Sequence, residues 1–218
     1  MTARLLAVAV FGAVGVGILI GLGVWQLDRL EWKRGVIARI EAGLAGDPGP
    51  LPARDARPSR YSPVTLEGIV AGETLKVFGT WRAAGAGYRL IAPVATGDGR
   101  RVMVDFGVAP DPVDLPLRVV RVTGVLDTPD EINASTPAPD GDVWFARDVG
   151  AMANALRAER LLVVAATVEP PLVARPVPVG TQGIPNNHLG YAVQWFGLAL
   201  VWAGMTAFLL WRITRRTA

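Results

Sequence analysis

The sequence predicts a membrane protein of the α+β class: two transmembrane helices, N- and C-terminal, flanking one β-rich extracytoplasmic domain with a short helix. Three observations predict it. Residues 5–27 and 189–211 are each 23 residues long and carry no charge. The stretch between them is broken into short runs of alternating apolar and polar residues, the signature of half-buried strands. Within that stretch, residues 148–157 are the one good internal helix.

Each apolar run, at about 1.5 Å rise per residue, gives roughly 34 Å of helix, enough to cross a hydrocarbon core of about 30 Å. A helix satisfies its own backbone groups and is therefore a stable solution in lipid. Arg4 precedes the first run, and Arg212, Arg215 and Arg216 follow the second. Basic residues favour the cytoplasmic side, so both termini are expected in the cytoplasm and the middle outside it. Arg29, Lys33, Arg34 and Arg39 follow the first run and oppose this rule, which binds less strongly where a long loop is translocated. The apolar core of the first run is too long for a cleaved signal, and no Ala-x-Ala site follows it. Four residues before the run leave no room for a mitochondrial presequence, so a bacterial inner membrane is the expected home. Leu30, Ile37, Ile40 and Leu44 continue near helical spacing, which extends the first helix beyond the bilayer.

The expected domains are a first transmembrane helix at 5–27, a helix extension and linker at 28–60, a β-rich periplasmic domain at 61–184, and a second transmembrane helix at 189–211. Residues 45–60 are rich in Pro, Gly and Arg and read as linker. Strands are expected at 64–67, 75–78, 88–91, 101–104 and 120–123, with an almost wholly apolar central strand at 161–168. Asp148 is placed to cap the short helix, with Met152, Ala155 and Leu156 toward the core. Val64-x-Leu66-x-Gly68-Ile69-Val70 echoes Val120-x-Val122-x-Gly124-Val125-Leu126, either as duplicated strands with a glycine bulge or by chance. Together these favour an antiparallel sheet or small barrel.

Charge and composition exclude several functions. The chain holds 22 basic and 19 acidic residues, but between the two runs 18 basic residues face all 19 acidic ones. The basic excess therefore sits in the tails, as a topology signal rather than a nucleic-acid surface. No cysteine is present, which removes disulfides, zinc–thiolate sites and cysteine nucleophiles. One histidine cannot build most zinc sites. No P-loop or dinucleotide fingerprint occurs. Asp111/Asp114 and Asp127/Asp130/Glu131 lie in Pro-rich loops and read as solvated turns, and Asn133-Ala134-Ser135 matches a glycosylation sequon with little meaning in a bacterium.

The informative segment is Pro185-Asn186-Asn187-His188-Leu189-Gly190-Tyr191-Ala192-Val193-Gln194-Trp195-Phe196. Asn186 or Asn187 can cap the second helix, which places His188 in its first turn at the outer interface. His188, Tyr191, Trp195 and Trp202 share one face, while Gly190, Gly197 and Gly204 repeat every seven residues on nearly the opposite one. Ala9, Ala13, Gly17 and Gly21 repeat every four in the first helix. Small residues allow close helix approach, so the glycine seam is expected to pack on Ala13, Gly17 and Gly21, leaving the His–aromatic stripe toward lipid, a partner or a flat ligand. The stripe has two readings: an interfacial aromatic belt with a solvated histidine, or a ligand site. As a ligand, a neutral imidazole suits haem iron and aromatic rings suit a porphyrin face; a single axial ligand suits transient carriage. Trp25 and Gln26 lie near the outer end of the first helix, either as interfacial anchors or as neighbours of that site.

Gly21-Leu22-Gly23-Val24-Trp25-Gln26-Leu27-Asp28-Arg29-Leu30-Glu31-Trp32-Lys33, together with the His188 segment, resembles the Surf1/Shy1 family of cytochrome c oxidase assembly factors. Val64-Thr65-Leu66-Glu67-Gly68, Gly87-Tyr88-Arg89-Leu90-Ile91-Ala92-Pro93 and Trp144-Phe145-Ala146-Arg147-Asp148 fit the family's internal motifs in the same order. The resemblance covers nearly the whole chain. It implies a non-enzymatic role in building the haem a-containing oxidase: binding haem a at the membrane, with His188 as the ligand, and helping deliver it to subunit I. It also implies contact with haem a synthase and with oxidase subunit I. The chain departs from the family where Phe106-Gly107-Val108-Ala109-Pro110 stands for the usual Arg-Gly-Trp-Val-Pro, and the 133–143 loop lacks the usual asparagine-rich run. Two other classes stand beside this reading: a scaffold whose Tyr191 and Trp195 grip the oxidase without haem, and a haem-modifying enzyme, against which the lack of acid/base pairs argues.

Overall fold

A computed structural model describes residues 2–56, 59–81 and 84–215. Arg216 of the expected basic tail and Arg57 and Pro58 of the expected linker lie outside the described residues. Along the chain run α1 (Thr2–Leu44), β1 (Pro63–Val70), β2 (Leu75–Trp81), β3 (Gly85–Thr96), β4 (Arg101–Ala109), β5 (Val119–Asp127), β6 (Val143–Trp144), α2 (Val149–Leu156), β7 (Glu159–Glu169) and α3 (His188–Arg215). They divide into a helical unit, Met1–Ala38 with Ile184–Ala218, and a β-rich unit, Arg39–Gly183. Both α1 and α3 are long and apolar enough to cross a membrane. The chain is thus a two-span α+β membrane protein.

In the helical unit the less exposed residues of α1 include Val8, Gly12, Gly15, Leu19, Gly23, Gln26 and Leu30. Those of α3 include Ala192, Phe196, Ala199, Ala203, Thr206 and Leu210. Both sets step by threes and fours, the pattern of a slightly crossed helix pair. The contact is large against small. A Cβ on Gly23 would lie 2.6 Å from the Phe196 ring, one on Gly15 would run into the Trp202 indole, and one on Gly12 into the Thr206 side chain. The expected seam is therefore corrected: Gly17, Gly21, Gly190, Gly197 and Gly204 would each accept a Cβ with nothing within 4 Å. In lipid, van der Waals contact drives pairing, and a ring seated on a glycine gains more of it than two glycines facing each other.

In the β-rich unit the strand order is β1-β5-β7-β4-β3-β2-β6, and an added β1–β3 pairing closes five strands into a small barrel. β7 is central, as its apolar run suggests. The sheet is mixed rather than purely antiparallel, because β4 pairs β7 and β2 pairs β6 in parallel. Parallel neighbours need a long connection, and the stretches from β4 to β7 (through β5, β6 and α2) and from β2 to β6 supply it. Strands β3, β4 and β7 are buried on both faces. Leu90, Val104, Phe106 and Val163 fill the barrel, while Ile91, Met103 and Leu162 point outward onto Trp144, Met152 and Leu156. Burial on both sides explains the continuous apolar runs.

Asp148 caps α2 by accepting from Ala151 N, and the buried residues are Met152, Ala153 and Leu156, so Ala153 takes the place expected of Ala155. The α2 C-terminus ends in a left-handed Arg157, and the Arg101 guanidinium donates to the Leu156 and Arg157 carbonyls. The two echoing glycines lie where strands come closest: a Cβ on Gly68 or Gly124 would strike the carbonyl of Ala95 or Val164. Gly124 borders a register shift between β5 and β7. The expected linker is partly fastened. Gly49 bridges Val64, Leu51 packs on the barrel core, and the Pro52 carbonyl accepts from Arg100. Residues 106–109 are not a surface loop but buried β4, with Gly107 at φ +104° where any Cβ would run into the Arg175 carbonyl.

Candidate functional site

The geometry worth following lies at the start of α3. His188 is its first residue, and Tyr191 N donates to the Asn187 carbonyl at 3.3 Å. That bond is the first of the helix itself, with Asn187 at the N-cap position. Asn186 Oδ1 is buried without a hydrogen-bond partner among the described residues, so it does not serve as the expected side-chain cap. His188 is half-buried, and its Nδ1 lies 2.7 Å from Gln26 Oε1 on α1. Gly23, one turn before Gln26, receives the Phe196 ring, and Leu30, one turn after, is buried. Gln26 is thereby held between two packed turns.

The structure brings together only part of the predicted set. His188 and Gln26 meet. Trp195 is half-buried beside Phe196, whereas Tyr191 is 52% exposed and Trp25 is 55% exposed. Trp202 packs over Gly15 and lies 5.5 Å from Phe11, centroid to centroid. The expected stripe is thus divided: His188 and Trp202 turn toward α1, and Tyr191 faces outward. Sequence reasoning missed Gly23, Phe196 and the Gly12/Gly15 cradle. The signal was present as the three–four spacing of Val8, Gly12, Gly15, Leu19, Gly23 and Gln26, which a search for four-residue repeats of small residues passes over.

A second concentration of chemistry lies in the β-rich unit. Asp105 is fully buried and accepts from Arg89 Nε at 3.1 Å, from Arg147 at 3.2 Å and from Gly107 N at 3.1 Å. Arg147 also pairs with Glu131 at 2.5 Å, and Arg89 donates to the Val177 carbonyl at 3.0 Å. Burial would push the Glu131 carboxyl up, but the hydrogen bonds and charge of Arg147 outweigh it and hold it below the ordinary carboxylate range. Burial likewise works against the Arg147 charge, and Glu131 and Asp105 restore it. Two cations face two anions with their hydrogen bonds made, so the cluster is a structural lock rather than an acid/base pair. Lys76 is similarly held between Asp114 and Asp142. Asp127, expected in a solvated turn, is instead buried at the end of β5 and paired with Arg60, whereas Asp114 and Glu131 are exposed as expected and also pair with Lys76 and Arg147. Among the described residues no cluster of three or more His, Asp or Glu could hold a metal ion.

The chemistry available at the helix pair is that of one imidazole, fixed on one nitrogen by a neutral amide, beside aromatic surface. An imidazole nitrogen outside that contact could ligate a metal. Comparison with known proteins places the whole arrangement in context. The chain is 28% identical to a SURF1-like protein of Monosiga brevicollis, over 87% of this chain and 82% of the relative. It is 26% identical to Surfeit locus protein 1 of Homo sapiens, over 82% and 69%. It is also 26% identical to a SURF1-like protein of Rickettsia felis, over 84% and 88%. A sequence profile of the SURF1 family matches residues 13–200, a span that takes in both Gln26 and His188. With most of the first helix, the start of the second and the whole barrel inside that match, the chain belongs to the SURF1 family.

Proposed function

We propose that this chain is a non-enzymatic assembly factor for a haem-copper cytochrome c oxidase, taking haem a as cargo at the membrane and assisting its insertion into subunit I. The observation that carries the reading is the single histidine of the chain, half-buried at the first turn of a membrane-length helix and oriented by Gln26. His188 is the proposed iron ligand. Trp195 and Tyr191 offer aromatic surface to the porphyrin, and Trp25 and Gln26 border it from α1. The residues fit the group: a neutral imidazole suits iron, and Tyr191 and Trp195 follow it on the same helix. One protein ligand makes a hold that a receiving site with its own ligands can displace, which is what delivery requires.

In this reading the chain lies in a bacterial inner membrane with both termini cytoplasmic and the β-rich unit periplasmic. Haem a synthase supplies the cargo and oxidase subunit I receives it. The test is the haem a content of subunit I in cells lacking this chain and complemented with wild type or His188→Ala at equal protein level. The expected result is restored haem a with wild type and a clear deficit with the variant. Full restoration by the variant would favour a scaffold that grips the oxidase through Tyr191 and Trp195 without haem.

A further inference from the structure

The contact between His188 and Gln26 assigns the two ring nitrogens. Gln26 Oε1 can only accept, so its 2.7 Å contact with Nδ1 is a hydrogen bond when Nδ1 carries the proton. A neutral imidazole has one N–H, and protonation of Nδ1 makes Nε2 the nitrogen with the free lone pair. Among the described residues Nε2 has no hydrogen bond. We propose that Gln26 is a positioning residue that fixes His188 in the Nδ1–H form and presents Nε2 as the sole donor to an incoming haem iron. This rests on the cargo reading above and adds to it which atom binds and what orients it.

The packing on either side supports a positioning role. Gln26 sits between Gly23, which receives Phe196, and the buried Leu30, so its backbone is anchored one turn before and one turn after. A side chain on a packed helix face holds a ring orientation better than one on a loop. Partners on the remote nitrogen of a ligating histidine commonly fix its tautomer and tune its basicity. An amide, unlike a carboxylate, does this without adding charge near the bilayer and without favouring the imidazolium form.

The chain contains one histidine, which makes the assignment readable without any haem. The experiment is nitrogen NMR of the untagged full-length chain, labelled at histidine nitrogen and held in lipid nanodiscs. The pH is kept well above the ordinary imidazole value of about 6.5. Wild type should show a protonated Nδ1 and a bare Nε2. Gln26→Glu keeps an acceptor and, at a pH high enough to hold the ring neutral beside the new carboxylate, should keep the Nδ1–H form. Gln26→Leu removes it, and the Nδ1–H form should fall from nearly all of the population to a minority. A wild-type ring protonated at Nε2, as an amide NH2 donating to a bare Nδ1 would produce, overturns the proposal. An unchanged pattern in Gln26→Leu also overturns it. In the haem-loaded protein, Gln26→Leu should shift the Soret band and reduction potential while His188→Ala removes the haem. Equal haem occupancy in wild type and His188→Ala, with the nitrogen pattern intact, would sink the cargo reading and leave the tautomer assignment standing.

Discussion

Replacing Asp105 by Ala tests the buried lock of the β-rich unit. The carboxylate is fully buried and bonds two guanidiniums whose side chains are only 5% and 11% exposed. Breaking a buried pair by removing one partner typically costs about 3–5 kcal/mol, because the remaining charge is left uncompensated. Two contacts moderate the loss here. Glu131 still holds Arg147, and the Val177 carbonyl still accepts from Arg89. The lower end, about 3 kcal/mol, is therefore expected, a shift of roughly two orders of magnitude in the folding equilibrium. Against a typical stability of about 5–15 kcal/mol the domain should remain folded but unfold at clearly lower urea. The assay is urea unfolding of the full-length chain in mild detergent, followed by the circular dichroism of the sheet. Glu67→Ala is the control, because Glu67 and Arg121 form an exposed pair that should contribute nothing resolvable. Equal midpoints for Asp105→Ala and Glu67→Ala would refute the claim that this network is a buried structural element.

Three further outcomes follow from the geometry. With no native cysteine, Gly12→Cys with Thr206→Cys should cross-link readily under mild oxidation, whereas Ala13→Cys with Gly197→Cys should not; the reverse pattern would restore the small-residue seam. Gly23→Leu should lower accumulation of the chain because its side chain meets Phe196, and Gly197→Leu should not, as immunoblotting of membranes would show. Glu131 has a folded-state pKa below its unfolded value, so its stabilisation is fully present above about pH 4.3 and is lost as pH falls through the folded value. The midpoint difference between wild type and Glu131→Gln should accordingly be flat near neutrality and shrink in acid; a difference that grows in acid would show the sign to be wrong.

Much of the architecture was legible because lipid and sheet impose simple periods. Two uncharged runs announce the helices, and alternation announces β1 and β5. The apolar run at 161–168 announces β7 because burial on both faces removes alternation. The barrel closure through β1 and β3 was not legible, since strand pairing across the chain leaves no local signal. Nor was the role of Gly107, whose φ of +104° and close approach to Arg175 arise only from tertiary contact. The linker reading of 45–60 missed Leu51 and Gly49 because Pro and Gly mark irregular backbone, whether free or fastened to a sheet edge. The site was half legible: His188 stood out by being alone, and Gln26 by its position. The glycine seam misled because the seven-residue repeat of Gly190, Gly197 and Gly204 and the alternating spacing of Ala192, Phe196 and Ala199 are both compatible with a helix pair. Only the size match of Phe196 and Trp202 to glycines on α1 decides between them.

The most direct measurement of the central claim is the haem content per chain, by optical spectrum and pyridine haemochrome, of protein produced alongside the enzymes that make haem a. The account predicts a bound haem with a clear Soret band in wild type, and its loss in His188→Ala at unchanged yield and unchanged sheet signal. A wild-type chain that emerges colourless, or a variant that carries the same band, would contradict it.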